Sequence, residues 1–318
     1  MANPIYTPHQ LRKDVRGTFI EALMEPKGPS LVEMISTVVD SESDKENYAW
    51  LGEVAPLDEF VDELEYGDLT EGPDVCKDGT SDAAYELRNK KYTGALMFNR
   101  DDLADSKTGG QRIRIRDLAQ RATRKADALL VQALIDGTTD KGYDDVEFFS
   151  ASHTARGKQS STQSNLLTGA GTSTANCSTD IGAGIAALYN FLDEGAEPLN
   201  EYFSKIWIGY PPALHKAISE ATQANVISQT TNTQFQNWEI KLIPMPRLTS
   251  TSAVDYYIGI MDAEIRGLVW QDREGISLEE LGPNSTTWFE KEMQAFKARM
   301  RGRAGYAKWQ RVLKIDNT

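Results

Sequence analysis

Three carboxylates stand close together at Asp144, Asp145 and Glu147, with His153 a short way downstream. Oxygen ligands at this density suit a hard cation such as calcium or magnesium. The spacing is not that of an EF-hand loop, which favours a solvated acidic turn over a cation site. The three histidines, His9, His153 and His215, are far apart in the sequence. None sits beside a partner motif, so each reads as a lone surface or core residue rather than half of a catalytic pair. The chain has no Walker loop, dinucleotide fingerprint, Gly-X-Ser-X-Gly elbow or zinc cluster. Its six tryptophans read as packing anchors. No catalytic residue, cofactor or metal is therefore expected. Cys76 and Cys177 are the only cysteines. They read as free thiols, in keeping with synthesis in a reducing cytoplasm.

The distribution of charge is more informative. Of 47 acidic residues, fifteen lie between Asp40 and Asp82, answered there only by Lys45 and Lys77. This segment carries the whole net charge of −13, and the remainder of the chain is neutral. An acidic balance argues against gripping nucleic acid by counterion release, which needs a basic face. It leaves open a wall that surrounds nucleic acid and lets it slide. Taken alone, an acidic run is most simply a solvated loop that opposes aggregation. No apolar run approaches the roughly 20 residues needed to span a bilayer, so no membrane partner is expected.

A chain of 318 residues suffices for one large core or two smaller ones. Residues 11–24 carry apolar side chains at helical spacing, and Pro26, Gly28 and Pro29 end that run. The rest of residues 1–47 reads as an arm ordered by a partner. Leu57, Phe60, Val61 and Leu64 favour a helical turn, 65–82 an exposed acidic loop, and 85–98 a strand. Two extended arms around an acidic tip would make a protruding hairpin, too marginal to stand alone and expected to lie on another molecule. Residues 112–135 are the clearest helix. Ile115, Leu118, Ala119, Ala122, Leu130 and Leu134 form its stripe, and Gly137 stops it. Asp117 and Asp127 interrupt its basic face, which argues against a nucleic-acid groove. The Ser/Thr/Gly/Asn-rich run 150–179 reads as a loop and domain boundary. Beyond it, helices at 181–192 and after Pro211-Pro212, with strands at 205–209, 238–243, 255–261 and 265–270, read as a mixed α/β domain. The end reads as a hairpin, 288–300 and 306–315, with Gly302 and Gly305 in a bulged turn.

Five short blocks then resemble, in order, the Mu-like bacteriophage major head (capsid) protein family. They are Tyr48-Ala49-Trp50-Leu51-Gly52, Leu87-Arg88-Asn89-Lys90-Lys91-Tyr92, Phe98-Asn99-Arg100-Asp101-Asp102-Leu103, Gly142 to Phe149 with His153, and Arg303 to Gln310. The departures are the acidic stretch around 71–82 and the polar run near 160–179. The resemblance implies an α+β, tailed-phage, Hong Kong-type major capsid fold. It would have an N-terminal arm (1–47), an extended β-hairpin loop (48–91), a discontinuous peripheral domain with a long spine helix (92–179 and 285–318) and an axial α/β domain (180–284). The implied function is self-assembly, as hexamers and pentamers, into an icosahedral shell around the double-stranded DNA genome of a tailed phage. Such a protein belongs to the virion and is assembled in the host bacterial cytoplasm. A separate scaffolding protein and a portal are expected partners, because few residues precede the loop, and a decoration protein is a further one. DNA would be enclosed without sequence-specific contacts. In this reading the acidic loop of one copy, through Asp58, Glu59, Asp62 and Glu63 with Trp50 and Phe60 as apolar anchors, lies over a neighbour. It would meet Arg112, Arg114, Arg116, Arg121 and Arg124 of the long helix and Lys291, Lys297, Arg299, Arg301 and Arg303 of the last hairpin. An encapsulin-like nanocompartment shell and a hydrolase with an unrecognised site in the axial domain are the competing readings.

Overall fold

The computed structural model describes residues 8–25, 30–48, 51, 85–99, 109–153, 161–193, 196–223, 226–227, 230–231, 237–281, 290 and 293–317. The expected apolar spacing near the start is a helix, α1 (Pro8–Met24), with Val15, Phe19 and Ala22 buried. The short α2 (Leu31–Ile35) opens on Ser30, whose hydroxyl accepts from the Val32 amide. β1 (Ser36–Asp40) follows directly, then β2 (Lys45–Asn47). The predicted strand at 85–98 is two strands, β3 (Glu86–Arg88) and β4 (Lys90–Asn99). The long helix α3 (Gly109–Asp136) has 28 residues and is about 42 Å long at 1.5 Å per residue.

β5 (Leu166–Thr168) and α4 (Thr174–Asn190) come next, with Ser173 accepting from the Asn176 amide at the helix start. β6 (Lys205–Tyr210), α5 (His215–Gln223), the pair β7 (Val226–Ile227) and β8 (Thr230–Thr231), β9 (Glu239–Pro244) and β10 (Tyr256–Ile260) follow. The chain then enters two long strands, β11 (Leu268–Leu281) and β12 (Met293–Tyr306), and a last strand, β13 (Val312–Asp316).

Two sheets organise these elements. One has the order β1-β11-β12-β4, with β1 parallel to β11 and the other pairs antiparallel. The other is mixed, in the order β5-β13-β10-β6-β9. α3 packs on β12 and α1 and reaches into both cores. Its first half meets Val15, Phe19, Phe98, Phe296 and Ala298 in a small core. Leu130, Val131, Ala133 and Leu134 near its end join the large core of the five-stranded sheet, α4 and α5. The apolar stripe read from the sequence thus serves two cores on one rod.

Four expectations are corrected. Residues 301–305 do not turn: β12 runs through them paired with β11, and Arg301 and Gly302 pair with β4 as well. The glycines serve close approach instead. A Cβ on Gly302 would lie 2.7 Å from the Gln271 carbonyl oxygen, and one on Gly305 would lie 2.4 Å from the Leu87 side chain. Beyond α1, the described part of residues 1–47 is not left to a partner, since α2 packs on α3 and β1 pairs with β11. Burial of Ile35 by the chain's own core is the reason. β4 likewise lies on β12 of its own chain rather than standing in a free ribbon. The polar run 150–179 is not a linker, because it contains β5, the start of α4 and the buried Asn165. β11, inside 180–284, belongs with β12 and β4, whereas β13, inside 285–318, is central to the five-stranded sheet.

The last strand is fixed by a buried polar knot. His153 Nδ1 lies 2.6 Å from Asp144 Oδ2, and its Nε2 lies 3.1 Å from Asn165 Oδ1. The imidazole stacks on Trp309 at 3.9 Å between ring centres and 4° between planes. Asn165 Nδ2 donates to the Phe148 carbonyl at 2.7 Å. Apolar packing would accept many side chains here, but this set of partners accepts one arrangement.

Two outcomes are expected. Gly302→Ala should destabilise the chain by about 1–3 kcal/mol in denaturant unfolding, because the backbone oxygen it meets cannot move aside. His153→Ala should cost about 2–4 kcal/mol, from the lost stacking on Trp309 and from Asp144 Oδ2 left buried without its partner, while Asn165 Oδ1 keeps the Ser150 amide. Unchanged unfolding midpoints would contradict these readings.

Candidate subunit-interface surface

The face of the four-stranded sheet turned away from α3 is built by strand alternation. Along β12, Phe296, Ala298 and Met300 are buried while Ala295, Lys297, Arg299 and Arg301 take the other face. Register places Glu279 opposite Lys297 and Glu274 opposite Arg301. The carboxylates and cations close on one another. Lys297 lies 2.5 Å from Glu279, and Arg299 lies 3.1 Å from both Glu274 and Glu279. Arg301 lies 3.3 Å from Asp44 and 3.8 Å from Glu274. Hydrogen bonds from Lys297 and then Arg299 hold the Glu279 carboxyl below the usual glutamate range. A lowered carboxyl contributes its stability above the ordinary value of 4.5 and loses it as the pH falls through the folded value. The ladder is therefore closed at neutral pH.

The helix cations are also largely engaged within the chain. Arg112 lies 3.3 Å from Asp14, and Arg116 lies 3.5 and 3.6 Å from Glu21 and Glu25, so α1 supplies the acids. Arg121 pairs with Asp117 one turn earlier at 2.9 Å. Exposed pairs of this kind contribute about 0–1 kcal/mol each and mainly set orientation. Among the described residues, Arg114, Arg124 and Arg303 have no ion-pair partner. Arg303 lines a cleft of about 300 Å³ with Tyr85, Lys90, Tyr92, Asp140 and Tyr306. Burial pushes the Tyr85 hydroxyl up to about 12, although it accepts a 2.9 Å hydrogen bond from the Tyr306 amide.

The two ends of the acidic excursion meet. β2 and β3 pair antiparallel, and the Tyr48 amide donates to the Tyr85 carbonyl at 2.9 Å. Below them runs a buried chain of side chains. The Tyr48 hydroxyl donates to Gln271 Oε1 at 2.8 Å, and Gln271 Nε2 and Asn89 Nδ2 donate to Ser41 Oγ at 3.2 and 2.8 Å. Glu46 accepts from the Glu42 and Ser43 amides, each at 2.9 Å. The chain thus leaves and returns at one clamped point. Trp50, Asp58, Glu59, Phe60, Asp62, Glu63, Lys291 and Cys76, and the helical turn expected at 57–64, lie outside the described residues.

The residues offered for chemistry serve other ends. Asp144, the carboxylate with a cation in view, is spent on His153, while Asp145 and Glu147 are exposed. Among the described residues no group of His, Cys, Asp and Glu is set to hold a metal. Both ring nitrogens of His153 are occupied inside the core, and His215 Nδ1 is bonded to the Tyr210 hydroxyl at 2.8 Å. Cys177 is a buried free thiol pushed up to about 11 by burial, with Asp180 nearby, which makes it a poor nucleophile. Sequence reading missed the Asp144–His153–Asn165–Trp309 knot. Its signal was the polarity of a run otherwise taken as linker, together with a carboxylate and an imidazole nine positions apart.

Residues 9–180, more than half of the chain, match the family model described as Mu-like prophage major head subunit gpT. The chain is 32% identical over 127 residues to the Mu-like prophage FluMu major head subunit of Haemophilus influenzae, covering 40% of this chain and 38% of that one. It is 28% identical over 142 residues to the major capsid protein of Escherichia phage Mu, covering 45% and 41%. The matched stretches span about two fifths of the length of these curated relatives. In fold it is similar to the chain in the procapsid of bacteriophage JBD30, with a TM-score of 0.56 at 17% identity over 98% of this chain and 77% of that one. That likeness carries the fold, the α+β tailed-phage capsid architecture expected from the sequence. With the family model covering nearly all of α1, the long helix and Asp144, His153 and Asn165 of the knot, this chain belongs to the Mu-like prophage major head subunit gpT family.

Proposed function

We propose that this chain is a major capsid subunit that assembles with copies of itself, as hexamers and pentamers, into an icosahedral shell around the double-stranded DNA genome of a tailed bacteriophage. It is then a protein of the virion and not an enzyme. The observation that carries the reading is the family match over residues 9–180, joined to a capsid-type fold over nearly the whole chain. A separate scaffolding protein, a portal and a decoration protein belong to the same reading as partners. The net charge of −13 fits a wall that confines DNA without gripping it.

Affinity in such a shell comes from many modest contacts repeated around each subunit. Charge sets orientation and partner choice, with Trp50 and Phe60 as apolar anchors. Six of the nine described cations expected at the interface already have acids of their own chain. Those left to answer a neighbour's acidic segment are Arg114, Arg124 and Arg303.

Electron microscopy of the purified chain tests the assembly, and closed particles are the expected result. A species that stays monomeric at every concentration on gel filtration contradicts it. Reversing Asp58, Glu59, Asp62 and Glu63 to Lys should lower particle yield about tenfold, with part of the loss recovered in added salt, which screens the new like-charge repulsion. Undiminished yield would remove the acidic segment from the assembly mechanism.

A further inference from the structure

β4 is the edge of the four-stranded sheet, and no described strand pairs with its outer side. Ten consecutive residues, from Lys90 opposite Gly302 to Asn99 opposite Met293, pair with β12 without a register shift. The neighbouring β11–β12 ladder, by contrast, is interrupted by shifts near Asp272 and Glu274. Edge strands are usually short, bulged, charged (with lysine above all) or broken by proline, because a long regular edge offers a row of unpaired amides and carbonyls to another chain. β4 has no proline and no bulge. Lys90 and Lys91 at its start are its only charged residues.

The side chains along this edge are graded. Lys90 and Lys91 are exposed, and neither has an ion-pair partner among the described residues, unlike Lys297, Arg299 and Arg301 on the next strand. Arg303, also unpaired, lines the cleft that Lys90 and Tyr92 share. At the far end, Met97 (63% exposed) and Leu281 (44% exposed) flank Ala295 in one row across three strands. One end of the edge is therefore cationic and the other apolar.

We propose that the outer edge of β4 receives an extended acidic segment of a second copy of this chain, which adds to the sheet as a further strand. Main-chain hydrogen bonds would give the affinity, and the Lys90–Lys91–Arg303 end and the Met97 row would fix direction and register. A second copy is the occupant because each copy carries fifteen acids against two lysines between Asp40 and Asp82, and the cations at this edge close no ion pair among the described residues, although Glu86, Asp136 and Asp140 line the same cleft. The proposal rests on the shell reading above. It names as docking element a strand edge in place of the cations that the fold has already paired.

The test compares backbone hydrogen exchange in assembled particles and in unassembled subunits of the unmodified chain. Alternate amides within residues 90–99 should exchange about tenfold slower or more in the particle, since strand addition protects only the outward-facing row. The double variant Lys91→Glu/Ala95→Glu should lower particle yield about tenfold with the circular dichroism of the subunit unchanged, through repulsion of an acidic strand. The control variant Lys241→Glu/Arg247→Glu, on the other sheet's side of the molecule, should assemble as the unmodified chain does. Particles with unprotected β4 amides, or normal assembly of the Lys91→Glu/Ala95→Glu variant, overturn the edge proposal and leave the shell reading standing. An unmodified chain that forms no particle contradicts the shell reading, and the edge proposal with it.

Discussion

The structure depends on the burial of one face of β12 against α3. Phe296 and Ala298 fill the space beneath that face, and Gly302 and Gly305 let Trp270 and Leu87 come against the backbone where no side chain would fit. Once β12 is held straight, β11 and β4 pair along its two sides and β1 follows on β11. The same face rule fixes the charges. Every residue of β12 that does not face α3 must face outward, so Lys297, Arg299 and Arg301 arrive in one row opposite Glu274 and Glu279.

This arrangement changes the meaning of the charge pattern. The acidic segment and the basic helix look in sequence like two halves of one contact. In the fold, α1 and β11 have already supplied acids to most of the basic residues. What a neighbour can still offer is an answer to the cations left over at the β4 edge and on α3. The clamp of Tyr48, Gln271, Asn89, Ser41 and Glu46 then acquires a purpose. It holds both ends of the acidic excursion at one point, so that whatever lies between them starts from a fixed base.

Much of the fold was legible. α1, α3, α5, β6, β9 and β10 follow from apolar spacing and from Pro and Gly stops, because each buries a regular stripe or a continuous run. The family blocks supplied the architecture that periodicity could not. The errors have a common cause. Gly302 and Gly305 carry a turn signal, yet here glycine answers a crowding by residues 32 and over 200 positions away in the chain, which no local pattern reveals. The run 150–179 is polar because it makes a buried hydrogen-bonded knot, and composition does not distinguish that from solvation. Sheet membership of β11 and β13 is set by long-range pairing, which no local pattern carries. The surface was legible in composition and illegible in pairing: the cations were found, but not which of them the chain had already used.

In the proposed shell, the contact between copies is that of an acidic segment of one with the unpaired cations of another. It is tested most directly by assembling particles from mixed light and heavy isotope-labelled copies, treating them with a zero-length carboxylate–amine cross-linker and mapping the linked peptides by mass spectrometry. Light–heavy links joining acids of the Asp40–Asp82 segment to Lys90 or Lys91 are expected. Links from that segment only within one copy, or to Lys297 in place of Lys90 and Lys91, would contradict it.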